Sequence, residues 1–372
     1  MSVAERVIFQ NVSKRFGAVT AVDDVSFTVE KGSLVTLLGP SGCGKTTTLR
    51  MIAGLDSVTE GKILIGDRDV TRLSAAQRDV SMVFQSYALF PHLTILDNVA
   101  YGLIASKTPK NLAHQLAREK LALLDLHQME QRLPSELSGG QQQRVAVARA
   151  LVLEPQVLLF DEPLSNLDAK LRRQVRADIR ALQQSLGLTV VYVTHDQSEA
   201  LAVSDQVIVM SRARISQIGS PRDLYEFPSN AFIADFIGDS NLIAGQIQTE
   251  GAGRIFVANS LRIALPASVA VPDGPACMSV RPNKWQMVPQ QAPNASGTQC
   301  ISIPGNLGKS AYLGSHMEYQ VQTAHGEILV MDSDTRTPHN PSAAVALRVA
   351  VPDVRWVADD GARPMAVSAS RH

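Results

Sequence analysis

Up to about residue 238, short apolar runs alternate along the chain with longer segments whose apolar residues recur every three or four positions. The short runs are typical of strands buried in a sheet, and we predict such strands at 34–38, 157–160, 189–193 and 206–210. A long amphipathic helix is predicted from the spacing of Leu171, Val175, Ile179, Leu182 and Leu186. This alternation predicts an α/β domain around a mostly parallel sheet.

Two further regions have patterns of their own. Between about 86 and 150 the sequence is richer in helix, with one apolar stripe at Ala113, Ala117, Leu121 and Leu124, and we interpret it as a helical insertion. After about residue 238 the chain changes to short alternating strands, such as 319–323 and 345–351, separated by glycine and proline. We therefore predict two domains, 1–238 and a β-rich, barrel-like 239–372, with the last dozen residues frayed.

Composition excludes some classes of protein and favours others. The 35 basic and 35 acidic side chains cancel, so net charge gives no argument for nucleic acid, and we predict no nucleic-acid partner. Three scattered cysteines form neither a metal-ligand spacing nor a disulfide framework, which favours a reducing cytoplasm. No apolar stretch approaches the roughly 20 residues of a membrane-spanning helix. The first residues lack the apolar core of a signal peptide, so we expect the protein to stay where it is made.

The segment 39–46, GPSGCGKT, follows the first buried run and precedes a helical pattern. Glycines at this spacing let the backbone curl so that successive N–H groups, and the positive end of the helix, face one anion. Lys45 would then reach the β- and γ-phosphates, and the Thr46 hydroxyl would bind Mg²⁺. A chance glycine turn before a lysine is the alternative, and Cys43 is interpreted as a small loop residue. The predicted nucleotide contacts are Gly39, Pro40, Ser41, Gly42, Cys43, Gly44, Lys45, Thr46 and Thr47.

A second helix start that could bind phosphate is predicted at 137–141, LSGGQ, directly before a helical pattern. The Ser138 hydroxyl and the free N–H groups after it form a second predicted phosphate-binding site. Its residues are Ser138, Gly139, Gly140 and Gln141. The alternative is an ordinary serine N-cap. Either interpretation predicts that a helix begins here.

Acidic residues follow the predicted strand 157–160. Asp161 is placed to hold Mg²⁺ through water, and Glu162 to orient and deprotonate an attacking water, although adjacent acids at a strand end often form only a solvated turn. Asp168 precedes the predicted long helix and is a candidate nucleotide contact, and capping of that helix is the alternative that alone could account for it. His195 ends another strand. A lone histidine there would be a surface or core residue, but together with the phosphate-binding and acidic motifs it is a candidate contact of the γ-phosphate.

The order of these motifs resembles the ATP-binding subunits of ATP-binding-cassette (ABC) transporters, over roughly the first 238 residues. The resemblance implies a P-loop NTPase with a RecA-like core and a helical subdomain at about 86–150. It also implies ATPase activity with ATP and Mg²⁺. Gln85 matches the residue that links Mg²⁺ and water to the membrane subunit. Phe16 matches the aromatic that stacks on adenine, where the family more often has tyrosine; the alternative is a core or loop aromatic.

The same resemblance implies partners. Two copies would meet head to tail, with the LSGGQ segment of each closing over the P-loop of the other. Integral-membrane permease subunits would bind near a groove at Tyr87, Leu89, Phe90 and Pro91, for which plain core packing is the alternative. A periplasmic or lipid-anchored solute-binding protein would act indirectly. The chain would then be a peripheral protein on the cytoplasmic face of the inner membrane.

The second domain resembles the regulatory, OB/TOBE-type barrel of importer subunits for maltose, polyamines, ferric iron, sulfate and phosphonates. Arg281, Pro282 and Gly314 match its pattern, but they also fit a plain strand end and a turn. Polyamine, ferric-iron or phosphonate uptake is the predicted solute type. Two other classes stay open: soluble ABC ATPases of DNA repair or translation, which usually have two cassettes or a long coiled coil, and P-loop kinases, which have no use for LSGGQ.

Overall fold

The computed structural model describes residues 4–251, 253–290, 300–336, 339, 343–359 and 361. The chain divides into two compact units, Met1–Pro221 and Arg222–His372. The C-terminal dozen, predicted to be frayed, lies almost entirely outside the described residues.

Strands and helices alternate through the first unit. Its strands are β1 (Val7–Phe16), β2 (Val19–Val29), β3 (Leu34–Leu38), β4 (Glu60–Ile65), β5 (Arg68–Asp69), β6 (Val80–Val83), β7 (Val157–Asp161), β8 (Thr189–Val193), β9 (Gln206–Ser211) and β10 (Arg214–Gly219). Its helices are α1 (Lys45–Ala53), α2 (Ile95–Ala105), α3 (Lys110–Leu123), α4 (Gly139–Leu151), α5 (Ala169–Leu186) and α6 (Gln197–Val203). The buried strands and the long helix that hydrophobic spacing predicted are confirmed.

Two sheets organise the described part of this unit. Strands β10, β9, β3, β8, β7 and β6 lie in that order, and all pair in parallel except β10, which is antiparallel to β9. Strands β2, β1, β4 and β5 form a separate antiparallel sheet. Every residue of β3 and β8 is buried, as expected for central strands of a covered parallel sheet. The P-loop and the loops after β7 and β8 therefore emerge at one edge.

The region predicted as a helical insertion has its own core. Helices α2, α3 and α4 enclose a cluster in which Val99, Ala113, Ala117, Leu121 and Val145 are fully buried. Small alanines on α3 let the helices approach closely, and the apolar stripe at helical spacing is the face that they bury. The helical prediction is confirmed.

The second unit is dominated by antiparallel strands. They are β11 (Asn241–Glu250), β12 (Gly253–Ala258), β13 (Leu261–Ala264), β14 (Gly274–Val280), β15 (Gln286–Pro289), β16 (Cys300–Tyr312), β17 (Met317–Thr323), β18 (Gly326–Asp332), β19 (Ala344–Ala350) and β20 (Arg355–Ala358), with α7 (Pro221–Glu226) and α8 (Ala231–Phe236) before them. Helix α8 packs on β11, β14 and β20, so the unit begins before the predicted boundary near residue 238.

The described strands of this unit pair in two orders, β13-β12-β11-β14-β20 and β15-β19-β16-β17-β18. Alternate residues of both sheets point into one shared core that includes Phe256, Tyr319 and Leu347. The β-rich character predicted for the C-terminal part is confirmed.

Candidate functional site

Two positions of the phosphate-binding loop, Gly39 and Gly44, have backbone conformations and close contacts that only glycine fits. Gly39 has φ +154° and Gly44 has φ +106°, values that L-residues rarely adopt. A Cβ on Gly39 would lie 2.2 Å from the Met210 carbonyl oxygen, and one on Gly44 would lie 2.4 Å from that of Ala21. No side chain among the described residues caps the start of α1. The loop therefore presents backbone N–H groups at a helix N-terminus, which is where anions bind.

Lys45 is the cation of this loop. Its side chain is buried, and Nζ donates to the carbonyl oxygens of Gly39 at 2.7 Å and Pro40 at 2.9 Å. The ammonium thus bridges the loop at its start. Burial raises the pKa of the neighbouring Cys43 thiol, which supports the interpretation of Cys43 as an unreactive loop residue.

A hydroxyl and a carboxylate meet beside the loop. Thr46 Oγ1 donates to Asp161 Oδ1 at 3.5 Å, joining the first turn of α1 to the end of β7. Burial raises the pKa of the Asp161 carboxyl, and the nearby charge of Glu162 raises it further. A cation next to Asp161 would offset that unfavourable burial of charge. Hard oxygen ligands of this kind suit Mg²⁺.

The described residues contain no cluster of three or more histidine, cysteine or acidic side chains that could enclose a metal by themselves. A threonine hydroxyl with one carboxylate fits Mg²⁺, because Mg²⁺ in nucleotide sites takes one or two protein ligands and completes its shell with phosphate oxygens and water. Thr46 and Asp161 are such a pair.

Glu162 and His195 form the second polar pair of the site. Glu162 Oε2 lies 2.9 Å from His195 Nδ1, and the Glu162 N–H donates to the Val193 carbonyl at 3.0 Å. The backbone of Glu162 is left-handed, with φ +45°, which is strained for a residue with a Cβ. This conformation holds a carboxylate at the end of β7, next to the histidine that follows β8.

A buried network behind His195 is absent from the sequence predictions. Glu199, 3% exposed, accepts hydrogen bonds from Thr194 Oγ1 at 2.7 Å and from the Tyr192 hydroxyl at 3.3 Å. Burial raises the pKa of Glu199. Arg172 donates to the Leu167 carbonyl at 3.1 Å, and its Nε lies 3.7 Å from Glu199 Oε1. The loop that carries His195 is thereby tied to the loop before α5.

Gln85 and Asp168 lie on loops that hydrogen bonds connect. The Asn166 side-chain amide donates to the Gln85 carbonyl at 3.0 Å, while the Gln85 side chain is exposed. Asp168 caps α5 by accepting from the Leu171 N–H at 2.9 Å, as its position before the helix predicted.

The second predicted phosphate-binding site, LSGGQ, lies at the start of α4. Ser138 Oγ accepts from the Gln141 N–H at 3.4 Å, and the Ser138 N–H donates to Gln141 Oε1 at 2.9 Å, which is a capping box. The serine N-cap alternative therefore describes the local structure. Gly139 and Gly140 form the first turn of the helix. Among the described residues, no hydrogen bond or ion pair joins this helix start to the P-loop.

Phe16 lies at the tip of the hairpin formed by β1 and β2, where it pairs with Val19. Its side chain is 50% exposed, so it is not a core aromatic. An exposed ring at a loop tip is available to stack on a flat ligand.

The predicted groove residues differ from one another. Tyr87 is only 6% exposed and packs in the core, so the core-packing alternative describes this residue; Pro91 is exposed. Tyr87 and Ala88 both have left-handed backbones. Arg149 donates to both of their carbonyls, at 2.9 and 2.7 Å.

Arg281 is buried and structural. Its guanidinium donates to the carbonyls of Tyr225, Ala234, Gly238 and Asp239, and it lies 4.0 Å from the centre of the Tyr225 ring. These contacts lie within the second unit and account for the residue without a ligand.

No helix in the described part of the chain is both long enough and apolar enough to span a membrane.

Comparison with known families identifies both parts of the chain. A model described as "ABC transporter" matches residues 22–165, and one described as "TOBE domain" matches residues 278–357. A "Fe(3+) ions import ATP-binding protein FbpC" of Brucella abortus (strain 2308) is 59% identical over 327 residues, which are 88% of this chain and 90% of the relative. The protein called FbpC 1 in Rhizobium meliloti (strain 1021) is 57% identical over 342 residues, covering 92% and 94%.

Solved structures agree with this assignment. The dimeric structure of MJ0796, a bacterial ABC transporter cassette, has a TM-score of 0.52 and 32% identity, and covers 58% of this chain and 99% of that one. A dimeric post-hydrolysis state of MJ0796 bound to ADP and Pi has the same TM-score and coverage, with 33% identity. The chain therefore belongs to the ABC transporter family, in its group of importer ATP-binding subunits, and is an ATPase.

Proposed function

We propose that two copies of this chain bind and hydrolyse ATP between them and thereby drive uptake of ferric iron through a separate permease. The observation that carries the ATPase part is the meeting of the P-loop with two polar pairs, Thr46 with Asp161 and Glu162 with His195, at one edge of the parallel sheet. One pair suits the metal of a nucleotide complex, and the other suits activation of water.

The P-loop residues bind the phosphates in this proposal. The backbone N–H groups of the segment from Ser41 to Thr47 surround the β-phosphate, and Lys45 exchanges the Gly39 and Pro40 carbonyls for phosphate oxygens. The Phe16 ring stacks on adenine. Thr46, Asp161 and Gln85 would hold Mg²⁺, directly or through water, and the ion would supply positive charge beside the phosphate oxygens.

Glu162 acts as the general base. It takes a proton from a water molecule, whose oxygen attacks the γ-phosphorus as the bond to the β–γ bridging oxygen breaks, giving ADP and phosphate. His195 holds the Glu162 carboxylate by the 2.9 Å contact and binds the γ-phosphate through its exposed edge. The network of Glu199 and Thr194 keeps the histidine loop in place.

The second copy completes the site. Ser138, Gly139, Gly140 and Gln141 of one copy, together with Asp168, close over the P-loop of the other. Two findings support this: nothing within the described chain bonds the start of α4 to its own P-loop, and MJ0796 is described as a dimer. Loss of the γ-phosphate removes the anion that both copies hold, so hydrolysis lets them separate.

The permease would bind the segment around Phe90 and Pro91, placing the chain on the cytoplasmic face of the inner membrane. A periplasmic or lipid-anchored solute-binding protein would deliver the solute to that permease. The relatives described as Fe(3+) importers favour ferric iron over the polyamine and phosphonate alternatives. They give no support to a role in DNA repair or translation.

Reconstitution tests the solute and the activity together. The chain, its partner permease and the matching solute-binding protein are placed in liposomes, and uptake of radioactive ferric iron is measured with ATP. We expect iron uptake that is lost with Lys45→Ala. Stimulation of the ATPase by a polyamine- or phosphonate-loaded binding protein, with no response to ferric iron, would contradict the solute assignment.

A further inference from the structure

Lys14 is a buried cation beneath the hairpin tip. The side chain lies in β1 and is only 7% exposed, although lysine is among the residues least often buried. Its Nζ donates to Ser57 Oγ at 3.1 Å and lies 4.5 Å from the centre of the Phe16 ring. A buried ammonium needs such partners, because desolvation of an unpaired charge is costly. The face of an aromatic ring is one of them.

Arg15, between Lys14 and Phe16, has a different partner, because its guanidinium pairs with Glu60 at 2.5 Å. The pairing of β1 with β2 shifts register on either side of Lys14, so regular strand alternation does not account for the contact between Lys14 Nζ and the Phe16 ring.

Lys14 Nζ lies over one face of the Phe16 ring, and half of the Phe16 side chain is exposed. A ring at the tip of a two-residue hairpin has few neighbours to fix it, as the 50% exposure of Phe16 shows. The cation, itself held by Ser57, restricts the ring to one orientation. A contact that is fixed before binding loses less conformational entropy when the ligand arrives.

We propose that Lys14 is a positioning residue for the nucleobase: it fixes the Phe16 ring so that the uncovered face stacks on adenine. This inference rests on the proposed base contact of Phe16 and deepens it. Lys14 acts through the ring, so its removal weakens the part of nucleotide binding that depends on the base. Binding of the phosphates at the P-loop is unaffected.

The test compares two ligands, ATP and inorganic tripolyphosphate, which has the phosphates without the base. Lys14→Met keeps the length of the side chain and removes the ammonium. We expect its Kd for ATP to rise about two- to fivefold, the range of a cation–π contact, with the Kd for tripolyphosphate unchanged. In steady-state hydrolysis KM should rise while kcat stays constant.

Three further variants make the result specific. Lys14→Arg should restore ATP affinity, because a guanidinium also stacks on an aromatic face. Ser57→Ala, which removes only the oxygen partner, should shift ATP binding in the same direction by less, and it serves if Lys14→Met does not fold. Lys62→Met, the same substitution at an exposed position of the neighbouring strand β4, should change neither ligand's Kd.

The outcomes separate this inference from the proposed function. If Phe16→Ala leaves the Kd for ATP unchanged, the base contact itself is wrong. If Phe16→Ala weakens ATP binding and Lys14→Met does not, the role of Lys14 is overturned and that of Phe16 stands. A Lys14→Met variant that loses affinity for tripolyphosphate as much as for ATP would also overturn the proposal, because its effect would then not pass through the base.

Discussion

Glu162→Gln separates the chemistry of the site from its structure. Glutamine has the shape of glutamate, keeps an oxygen that can accept a hydrogen bond from His195, and has the same difficulty with the left-handed backbone at φ +45°. The substitution therefore removes the base and changes little else. The fold and the affinity for ATP should remain those of the unaltered chain.

The expected loss follows from the role assigned to Glu162. A positioned general base contributes about 10²- to 10⁴-fold to a rate, so kcat should fall by that factor, or about 2.7–5.5 kcal/mol in activation free energy. Phosphate release measures the rate, and titration with a fluorescent ATP analogue measures affinity. Because ATP is no longer consumed, light scattering should also show a lasting pair of copies with ATP and Mg²⁺.

Glu154→Gln is the matched control. Glu154 also has a left-handed backbone, with φ +52°, and its carboxylate contacts Lys120 at 3.4 Å rather than the site. The same chemical change there should leave phosphate release unchanged. Phosphate release by Glu162→Gln at the rate of the unaltered chain would refute the assignment of the base.

Three other substitutions test the remaining parts of the site and the second unit. Gly39→Ala should weaken ATP binding more than about tenfold in a fluorescence titration, since its Cβ would lie 2.2 Å from the Met210 carbonyl; Gly42→Ala, whose Cβ meets no atom within 4 Å, should cost less. Ser138→Arg should abolish ATP-driven pairing in light scattering while each copy still binds ATP, and loss of that binding would contradict the two-copy site. Arg281→Met should lower the Tm of the second unit by about 5–10 °C in a circular-dichroism melt, because buried carbonyls lose a charged donor, and an unchanged Tm would refute its structural role.

Local patterns predicted a large part of this molecule. The strands β3, β7, β8 and β9 follow from short continuous apolar runs, because they are buried on both faces, and the helix α5 follows from apolar residues at helical spacing. The P-loop is equally predictable from the local sequence, because backbone conformations that exclude a Cβ require glycine at fixed positions.

Contacts between distant segments were not predictable in the same way. The pairing of Arg172 with Glu199 of α6 depends on how α5 lies against the end of β8, and a glutamate in the first turn of a helix looks like a solvated residue in the sequence. Whether Tyr87 packs in the core or lines a groove was open for a related reason, since its burial depends on contacts with distant segments. The pairing order in the second unit likewise joins strands far apart, such as β14 with β20.

Helix α4 connects Arg149 with the Ser138 segment at the other end of the helix. The helix has 13 residues and is therefore about 20 Å long, with Ser138 at its first end and Arg149 in its last turn. Because Arg149 donates hydrogen bonds to the Tyr87 and Ala88 carbonyls, a tilt of the helix would displace the left-handed turn next to Phe90. A movement at the Ser138 end of α4 would thus reach the segment next to Phe90 by rigid displacement of the helix.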